Sequence, residues 1–262
     1  MVGGGPAGVQ ALLTLIDRGH DVTLYEMTDT IGGLVVPGSV HPFKEDIRDY
    51  LKYMQCQVAK AQARVLMNTE ATKEILDEEK YDAIILAVGS RPIVPKLPGI
   101  DKPHVHWAPD ACAGEVKTGE KIAIIGAGAV GIECAIDLKE KGNDVIIVEM
   151  APDLGHLMKS AAGAAFEFQE LIAKLDIPVH LSCRLEEVKD GSIVCSNTKT
   201  SEKVEFQADT VLLALGMAAK HDVADSLRHS APETEVFVVG DAIKPGLVGP
   251  AVMSAFRAAA YI

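Results

Sequence analysis

The apolar positions of this 262-residue chain fall into two alternating patterns. Short unbroken runs such as Lys121-Ile122-Ala123-Ile124-Ile125 have the character of strands buried on both faces of a parallel sheet. Strands are predicted over 21–26, 81–89, 121–125, 144–149, 208–216 and 235–239. Between them, residues 7–18 and 129–141 carry helical periodicity. Each of these helices meets a glycine, Gly19 or Gly142, where a left-handed closing residue is least strained. Strand and helix in alternation imply an α/β fold with parallel sheets.

Both helices are entered through the same glycine pattern. The first copy reads Gly3-Gly4-Gly5-Pro6-Ala7-Gly8, the second Gly126-Ala127-Gly128-Ala129-Val130-Gly131. In each, an acid lies 23 residues beyond the first glycine: Glu26 and Glu149. One such pattern is weak, but its physics can be checked. The first glycine permits a tight turn, the second lets backbone approach a pyrophosphate, and the third brings helix and sheet together. The helix N-terminus then supplies N–H groups and a positive dipole end. The acid at the end of the next strand can accept hydrogen bonds from a ribose diol. The second copy meets every demand. The first lacks most of its opening strand, since only Met1 and Val2 precede Gly3. Two residues are too few to pair properly, so the strand is expected to begin upstream, in a longer protein. The bland alternative is a pair of glycine-rich turns without ligand, which two matched copies weigh against.

A second repeat supports the first. Tyr81-Asp82-Ala83-Ile84-Ile85-Leu86-Ala87-Val88-Gly89 and Ala208-Asp209-Thr210-Val211-Leu212-Leu213-Ala214-Leu215-Gly216 share one pattern: Asp, an apolar strand, a small-residue exit at glycine. The proline-rich stretch 91–99 between the halves is expected to be an extended linker. A third landmark is Glu235-Val236-Phe237-Val238-Val239-Gly240-Asp241, followed by Gly249-Pro250 and an alanine-rich helix expected over 251–261. Asp190-Gly191 predicts a hairpin turn.

Composition narrows the partners. Hydrophobic residues make up 48% of the chain, which suits a globular protein. A formal net charge of -12 disfavours nucleic acid. Apolar runs are too short to span a bilayer and no signal core is present, so no membrane partner and a cytoplasmic location are expected. The cysteines Cys56, Cys112, Cys134, Cys183 and Cys195 show no Cys-x-x-Cys spacing. They are read as ordinary thiols, and neither a redox pair close in sequence nor a metal site is expected from them.

The order of these motifs resembles the two-dinucleotide-binding-domain flavoproteins. Within that group, Tyr25-Glu26-Met27, Ile31-Gly32-Gly33, Pro42-Phe43-Lys44 and Asn68-Thr69-Glu70 are similar to the C-terminal FAD/NAD(P)-binding part of NADH:flavin oxidoreductases of the enoate reductase and 2,4-dienoyl-CoA reductase family. The resemblance implies two Rossmann-like domains of three-layer ββα build. An NAD-binding domain at 107–222 would be inserted in an FAD-binding domain made of residues 1–106 and 223–262. It implies FAD and NADH as cofactors, with FMN and a 4Fe-4S cluster only in an absent N-terminal part. Partners would be the nicotinamide dinucleotide and an upstream FMN/iron–sulfur domain or an electron-acceptor protein. Two departures stand out: Val88 replaces the usual threonine, and Leu34 replaces the usual glutamine after Gly32-Gly33.

The resemblance also implies roles. Gly3, Gly5, Pro6, Ala7 and Gly8 would cradle the FAD pyrophosphate, Glu26 the adenosine ribose and Ala71 the adenine. Asp241 would accept from a ribityl hydroxyl, and the helix near Pro250 would stabilise negative charge on the flavin pyrimidine. Gly33, Gly89 and Gly240 complete that set. Gly126, Gly128, Ala129, Val130, Gly131, Glu149 and Gly216 would bind NADH. No side chain is expected to act as acid or base, because the cofactors supply the chemistry. The function implied is hydride transfer from NADH to bound FAD. The alternatives are a non-catalytic scaffold holding an ADP-like ligand, or a stand-alone diaphorase serving a partner protein. Bland readings are preferred for His104 and His106 as surface residues, for Phe166, Phe168 and Leu171 as helix packing, and for Asp77-Glu78-Glu79 as a solvated loop. For Glu133 a place near the flavin–nicotinamide contact and an ordinary polar helix position stay equally open.

Overall fold

The structure is a computed structural model that describes residues 1–154, 164–228 and 234–262. The chain folds into two compact units. One joins Met1–Arg91 to Met217–Ile262, and the other is Pro92–Gly216.

The first unit is built on parallel strands in the spatial order Arg64–Leu66, Thr23–Tyr25, Val2, Ala83–Leu86, Glu235–Val238. Val2 alone bridges the two halves of this sheet, pairing with Tyr25 on one side and Leu86 on the other. Successive strand residues face opposite layers. Leu24 and Ile85 pack with Val9, Leu12 and Met54 in one core. Tyr25, Ile84 and Leu86 pack with Leu76, Ala224 and Leu227 in the other. In the first core, helix Pro6–Asp17 meets the C-terminal helix Val248–Tyr261, and fully buried Ala11, Ala255 and Ala259 leave little side chain to separate them.

The opening strand is less deficient than its length suggests. The Met1 amine donates to the Thr23 carbonyl at 2.9 Å, and the Met1 carbonyl accepts from Tyr25 N at 2.9 Å. Val2 N donates to Ile85 O at 2.9 Å, Val2 O accepts from Ala87 N at 2.8 Å, and Gly3 N donates to Tyr25 O at 2.8 Å. The segment is therefore paired on both flanks, Met1 and Gly3 with Thr23 and Tyr25 on one side and Val2 with Ile85 and Ala87 on the other. Burial of the terminal amine pushes its pKa down to about 5.

The second unit holds a five-stranded parallel sheet in the order Val105–Trp107, Thr210–Leu213, Lys121–Ile125, Asp144–Val148, Val179–His180. Ala123, Ile125, Val148, Val211 and Leu213 pack from this sheet against Cys183, Leu185, Val188, Ile193 and Cys195. The latter lie on the antiparallel strands Cys183–Lys189 and Ser192–Asn197, which Lys203–Gln207 extends to three. Asp190-Gly191 turns the first hairpin, with Gly191 at φ +80.

Several expectations shift. The stretch 91–99 is no free linker: Val188 N donates to Pro98 O at 2.9 Å, and Leu97 and Ile100 pack on the second unit's core. That packing puts the joints after Arg91 and Gly216, where 106 and 222 were expected. The C-terminal helix starts at Val248, ahead of Pro250. Proline is tolerated there because the first-turn N–H groups have no intrahelical acceptor. Asp77-Glu78-Glu79 close the helix Lys73–Glu79, whose Thr72 cap accepts from Ile75 N. Phe168 is buried in helix Ala165–Lys174, whereas Phe166 points outward at 67% exposure.

Candidate functional site

The two glycine turns are built alike, and each glycine has its own reason to be there. Gly3 and Gly126 have φ +99 and +108, which favour glycine over any L side chain. A Cβ on Gly3 would strike the carbonyl of Ala87, and one on Gly126 would lie 2.6 Å from the Ala214 oxygen. Gly8 and Gly131 press on the carbonyls of Gly3 and Gly126 themselves. The middle glycines differ from both. A Cβ on Gly5 would meet only Gly33 Cα at 3.8 Å, and one on Gly128 would meet nothing within 4 Å. These middle positions are helix N-caps with nearly the same backbone, φ -74 and ψ -176 at Gly5, φ -73 and ψ 175 at Gly128. No side chain caps either helix. Each turn thus aims a dipole's positive end and first-turn N–H groups into open space, the arrangement that binds anions. The first turn offers Ala7 and Gly8, since Pro6 has no N–H. The second offers Ala129, Val130 and Gly131.

The acids lock these turns. Glu26, 6% exposed, accepts from Gly4 N at 2.7 Å through Oε2, and from Thr28 N at 2.8 Å and Thr28 Oγ1 at 2.7 Å through Oε1. Glu149, 8% exposed, accepts from Ala127 N and Ala151 N, both at 2.7 Å, one on each oxygen. A carboxylate has about four acceptor positions. Glu149 therefore keeps one free position on each oxygen, enough for both hydroxyls of a diol, while Glu26 keeps one on Oε2 alone. Val130 lies 44% exposed in the first turn of the second helix.

Other expected residues gather around the first turn. Gly33, at φ +53, sits so close that its Cβ would lie 3.0 Å from Gly5 Cα, and Gly32 N donates to Gly4 O at 3.0 Å. The loop carrying buried Ala71 is held by Thr69 N donating to Glu26 O at 2.9 Å. Gly240, at φ +65, packs on Ala7, and its N–H donates to Ser254 Oγ at 2.8 Å. The chain's last segment thereby brings Asp241 to the first turn. Asp241 accepts from Ser90 Oγ at 3.0 Å and Gly246 N at 3.1 Å. The exits at Gly89 and Gly216 both take positive φ, +72 and +83, with open space where a Cβ would stand. Gly216 belongs to the second unit together with Gly126, Gly128, Ala129, Val130, Gly131 and Glu149.

Some residues stand elsewhere than the sequence suggested, and some were missed. Glu133 is buried in helix Ala129–Glu140. His104 Nε2 lies 3.1 Å from the Lys189 carbonyl oxygen at the hairpin. Thr28 and Ser90 carry polar contacts that no motif announced. Ser90 reaches Asp241 across 151 positions, which no local pattern can signal. Among the cysteines, contact with Cys112 and then burial push the Cys134 thiol far up, and burial raises Cys183 and Cys195. A thiol held protonated is a poor nucleophile. Among the described residues, no helix is long and apolar enough to cross a membrane.

The family described as pyridine nucleotide-disulphide oxidoreductase matches residues 1–255. The cinnamate reductase of Clostridium sporogenes is 34% identical over 263 residues, which cover 100% of this chain and 39% of that protein. The NADH oxidase of Thermoanaerobacter brockii is 32% identical, over 99% of this chain and 40% of that one. A solved 2-naphthoyl-CoA reductase in complex with 2-naphthoyl-CoA superposes with a TM-score of 0.89 at 30% identity, over 100% of this chain and 39% of that chain. The chain thus spans about two fifths of the length of these relatives.

Proposed function

The chain belongs to the pyridine nucleotide-disulphide oxidoreductase family, and from that premise we propose that it is a reductase module in which NADH passes hydride to a bound FAD. The observation that carries the reading is the paired cradle. In both units the outer two glycines are pinned against backbone carbonyls, while the middle one faces space that a pyrophosphate can fill.

In the first unit Gly3, Gly5, Pro6, Ala7 and Gly8 would hold the FAD pyrophosphate, with Glu26 toward the adenosine ribose and Ala71 toward the adenine. Gly33, Gly89 and Gly240 close that cradle. Asp241 would take a ribityl hydroxyl. The donor set fits this group: backbone N–H for phosphate, carboxylate for hydroxyl. In the second unit Gly126, Gly128, Ala129, Val130, Gly131 and Gly216 would hold the nicotinamide dinucleotide, with both ribose hydroxyls on Glu149. When bound, FAD supplies a two-electron acceptor for hydride, and the protein supplies alignment and electrostatics. The helix Val248–Tyr261 has no side chain capping its N-terminus and offers its dipole to negative charge that develops on reduction. No side chain need move a proton.

Electrons would leave to an FMN- and iron–sulfur-bearing domain or a separate acceptor protein. The names of the relatives suggest an unsaturated acid or a thioester as final acceptor. The test is to release the cofactor from purified, acid-denatured protein and to add NADH anaerobically to the intact protein. FAD in the supernatant and bleaching of its absorbance by NADH are expected. ADP or AMP in its place, with no bleaching, would make the chain a nucleotide-holding scaffold.

A further inference from the structure

We propose that Ser90 is a positioning residue for the flavin: its hydroxyl fixes the Asp241 carboxylate in the orientation that receives the ribityl chain. This rests on the FAD reading above and names a residue that reading does not use.

Ser90 opens the strand Ser90–Pro92, directly after Ala87-Val88-Gly89, and is 7% exposed. Gly89 N-terminal to it adopts φ +72, which swings the chain away from the line of strand Ala83–Leu86. That turn carries the Ser90 Oγ to within 3.0 Å of Asp241 Oδ2. On the other oxygen, Gly246 N donates to Oδ1 at 3.1 Å. The carboxylate is therefore gripped from both sides, by a side chain arriving from the first half of the unit and a backbone amide from the last. A carboxylate with two partners so placed cannot rotate without breaking one of them. Each oxygen retains an acceptor position for a ligand hydroxyl.

The backbone under Asp241 is held as firmly. Gly240 N donates to Ser254 Oγ at 2.8 Å, and Ser254 Oγ donates onward to Ala251 O at 2.8 Å. With the main chain fixed in this way, the Asp241 side-chain torsion is the remaining freedom, and Ser90 is the side chain that removes it. The hydroxyl has one proton, and donating it to Asp241 leaves Ser90 no proton to donate to a ligand. Ser90 thus acts through Asp241.

The experiment measures FAD dissociation constants on the full chain by absorbance and fluorescence titration of stripped protein, with melting curves as a folding check. Four variants are used: Ser90→Ala, Ser90→Thr, Asp241→Ala and the Ser90→Ala/Asp241→Ala pair. Losing a hydrogen bond to a charged group should weaken FAD about tenfold in Ser90→Ala. Ser90→Thr, which keeps the hydroxyl, should restore binding to within about threefold of wild type. The pair should bind no worse than Asp241→Ala alone, because Ser90 has nothing left to orient. A Ser90→Ala protein with wild-type affinity overturns the inference. So does a full additional loss in the pair, since that means Ser90 acts independently of Asp241. A wild-type chain that binds no FAD overturns the FAD reading itself and takes this role with it, an outcome distinct from either.

Discussion

The first glycine turn stands on a sheet position filled by one bridging residue, Val2, whereas the second stands on the five-residue strand Lys121–Ile125. Past that point the two are nearly superimposable in their contacts. Gly3 N and Gly126 N each donate at 2.8 Å to the residue before the acid, Tyr25 or Val148. Each acid returns to the second residue of its turn at 2.7 Å. What holds such a glycine turn in shape is therefore the contact of its glycines with neighbouring carbonyls and the lock of the acid. The halves differ instead in how the acid is occupied, with Thr28 adding a hydroxyl to Glu26 where Ala151 has none to offer Glu149.

The harshest way to break the comparison is at the third glycine. Gly8→Ala and Gly131→Ala each push a methyl into a backbone carbonyl that cannot yield. Each should cost ~3 kcal/mol or more, a size associated with overpacking against fixed structure. Gly8→Ala should abolish FAD retention while sparing NADH binding, and Gly131→Ala the reverse. Titrating both ligands against both variants checks this, and matching losses of both ligands in either variant would dissolve the one-turn, one-ligand assignment.

Next comes a property of one half only. In a chain that starts at Met1, burial holds the terminal amine's pKa near 5 in the fold against an ordinary 8.0. Between those values the unfolded chain carries a proton that the folded chain does not, so stability should rise with pH. The gain is about 1.4 kcal/mol per pH unit across that window, flattening above pH 8. Chemical denaturation from pH 5 to 8 on a chain starting at Met1, repeated after acetylation of the amine, measures it. The slope attributable to this group should vanish on acetylation, and an unaltered slope would place its origin elsewhere.

Coenzyme choice sharpens the comparison further. Glu149 keeps one acceptor position on each oxygen, and if it takes the ribose hydroxyls, the 2′-phosphate of NADPH would bring like charge against it. Glu149→Ala should weaken NADH about tenfold and narrow its advantage over NADPH. Equal affinity for the two coenzymes in the wild type would remove Glu149 as selector. The smallest effect is expected at Thr28→Ala, which makes the first acid resemble the second. FAD affinity should shift by no more than about threefold, because the hydroxyl removed from Glu26 leaves the Thr28 N–H bond in place. A larger loss would mean that Thr28 touches the ligand itself.

Local features were legible in the sequence because they rest on local rules. The glycine turns, their helices, the strand ends at Glu26 and Glu149 and the hairpin at Asp190-Gly191 all follow from spacing and conformational preference. The pairing of residues 1–3 is not legible in their number, because counting residues says nothing of how many partners each one finds. The stretch 91–99 read as a linker because its prolines signal extension, while the docking of Leu97 and Ile100 depends on a core formed by distant strands. Phe166 and Phe168 look alike in the sequence, and only the direction of their helix decides which is covered. Ser90 had no signal at all, since its partner lies 151 positions away.

A sheet begun at Val2 and completed by Glu235–Val238 also imposes a timetable on biosynthesis. The unit Pro92–Gly216 is contiguous and can close while the ribosome is still at work. The first half of the other unit has by then already emerged, but its strand Ala83–Leu86 lacks an edge partner until residue 238 clears the exit tunnel. During that interval Ile84, Ile85 and Leu86, all but fully buried in the finished fold, sit beside an open strand edge. Pauses or truncations between Gly216 and residue 238 should therefore yield a chain whose unit Pro92–Gly216 is folded while strand Ala83–Leu86 keeps a sticky open edge.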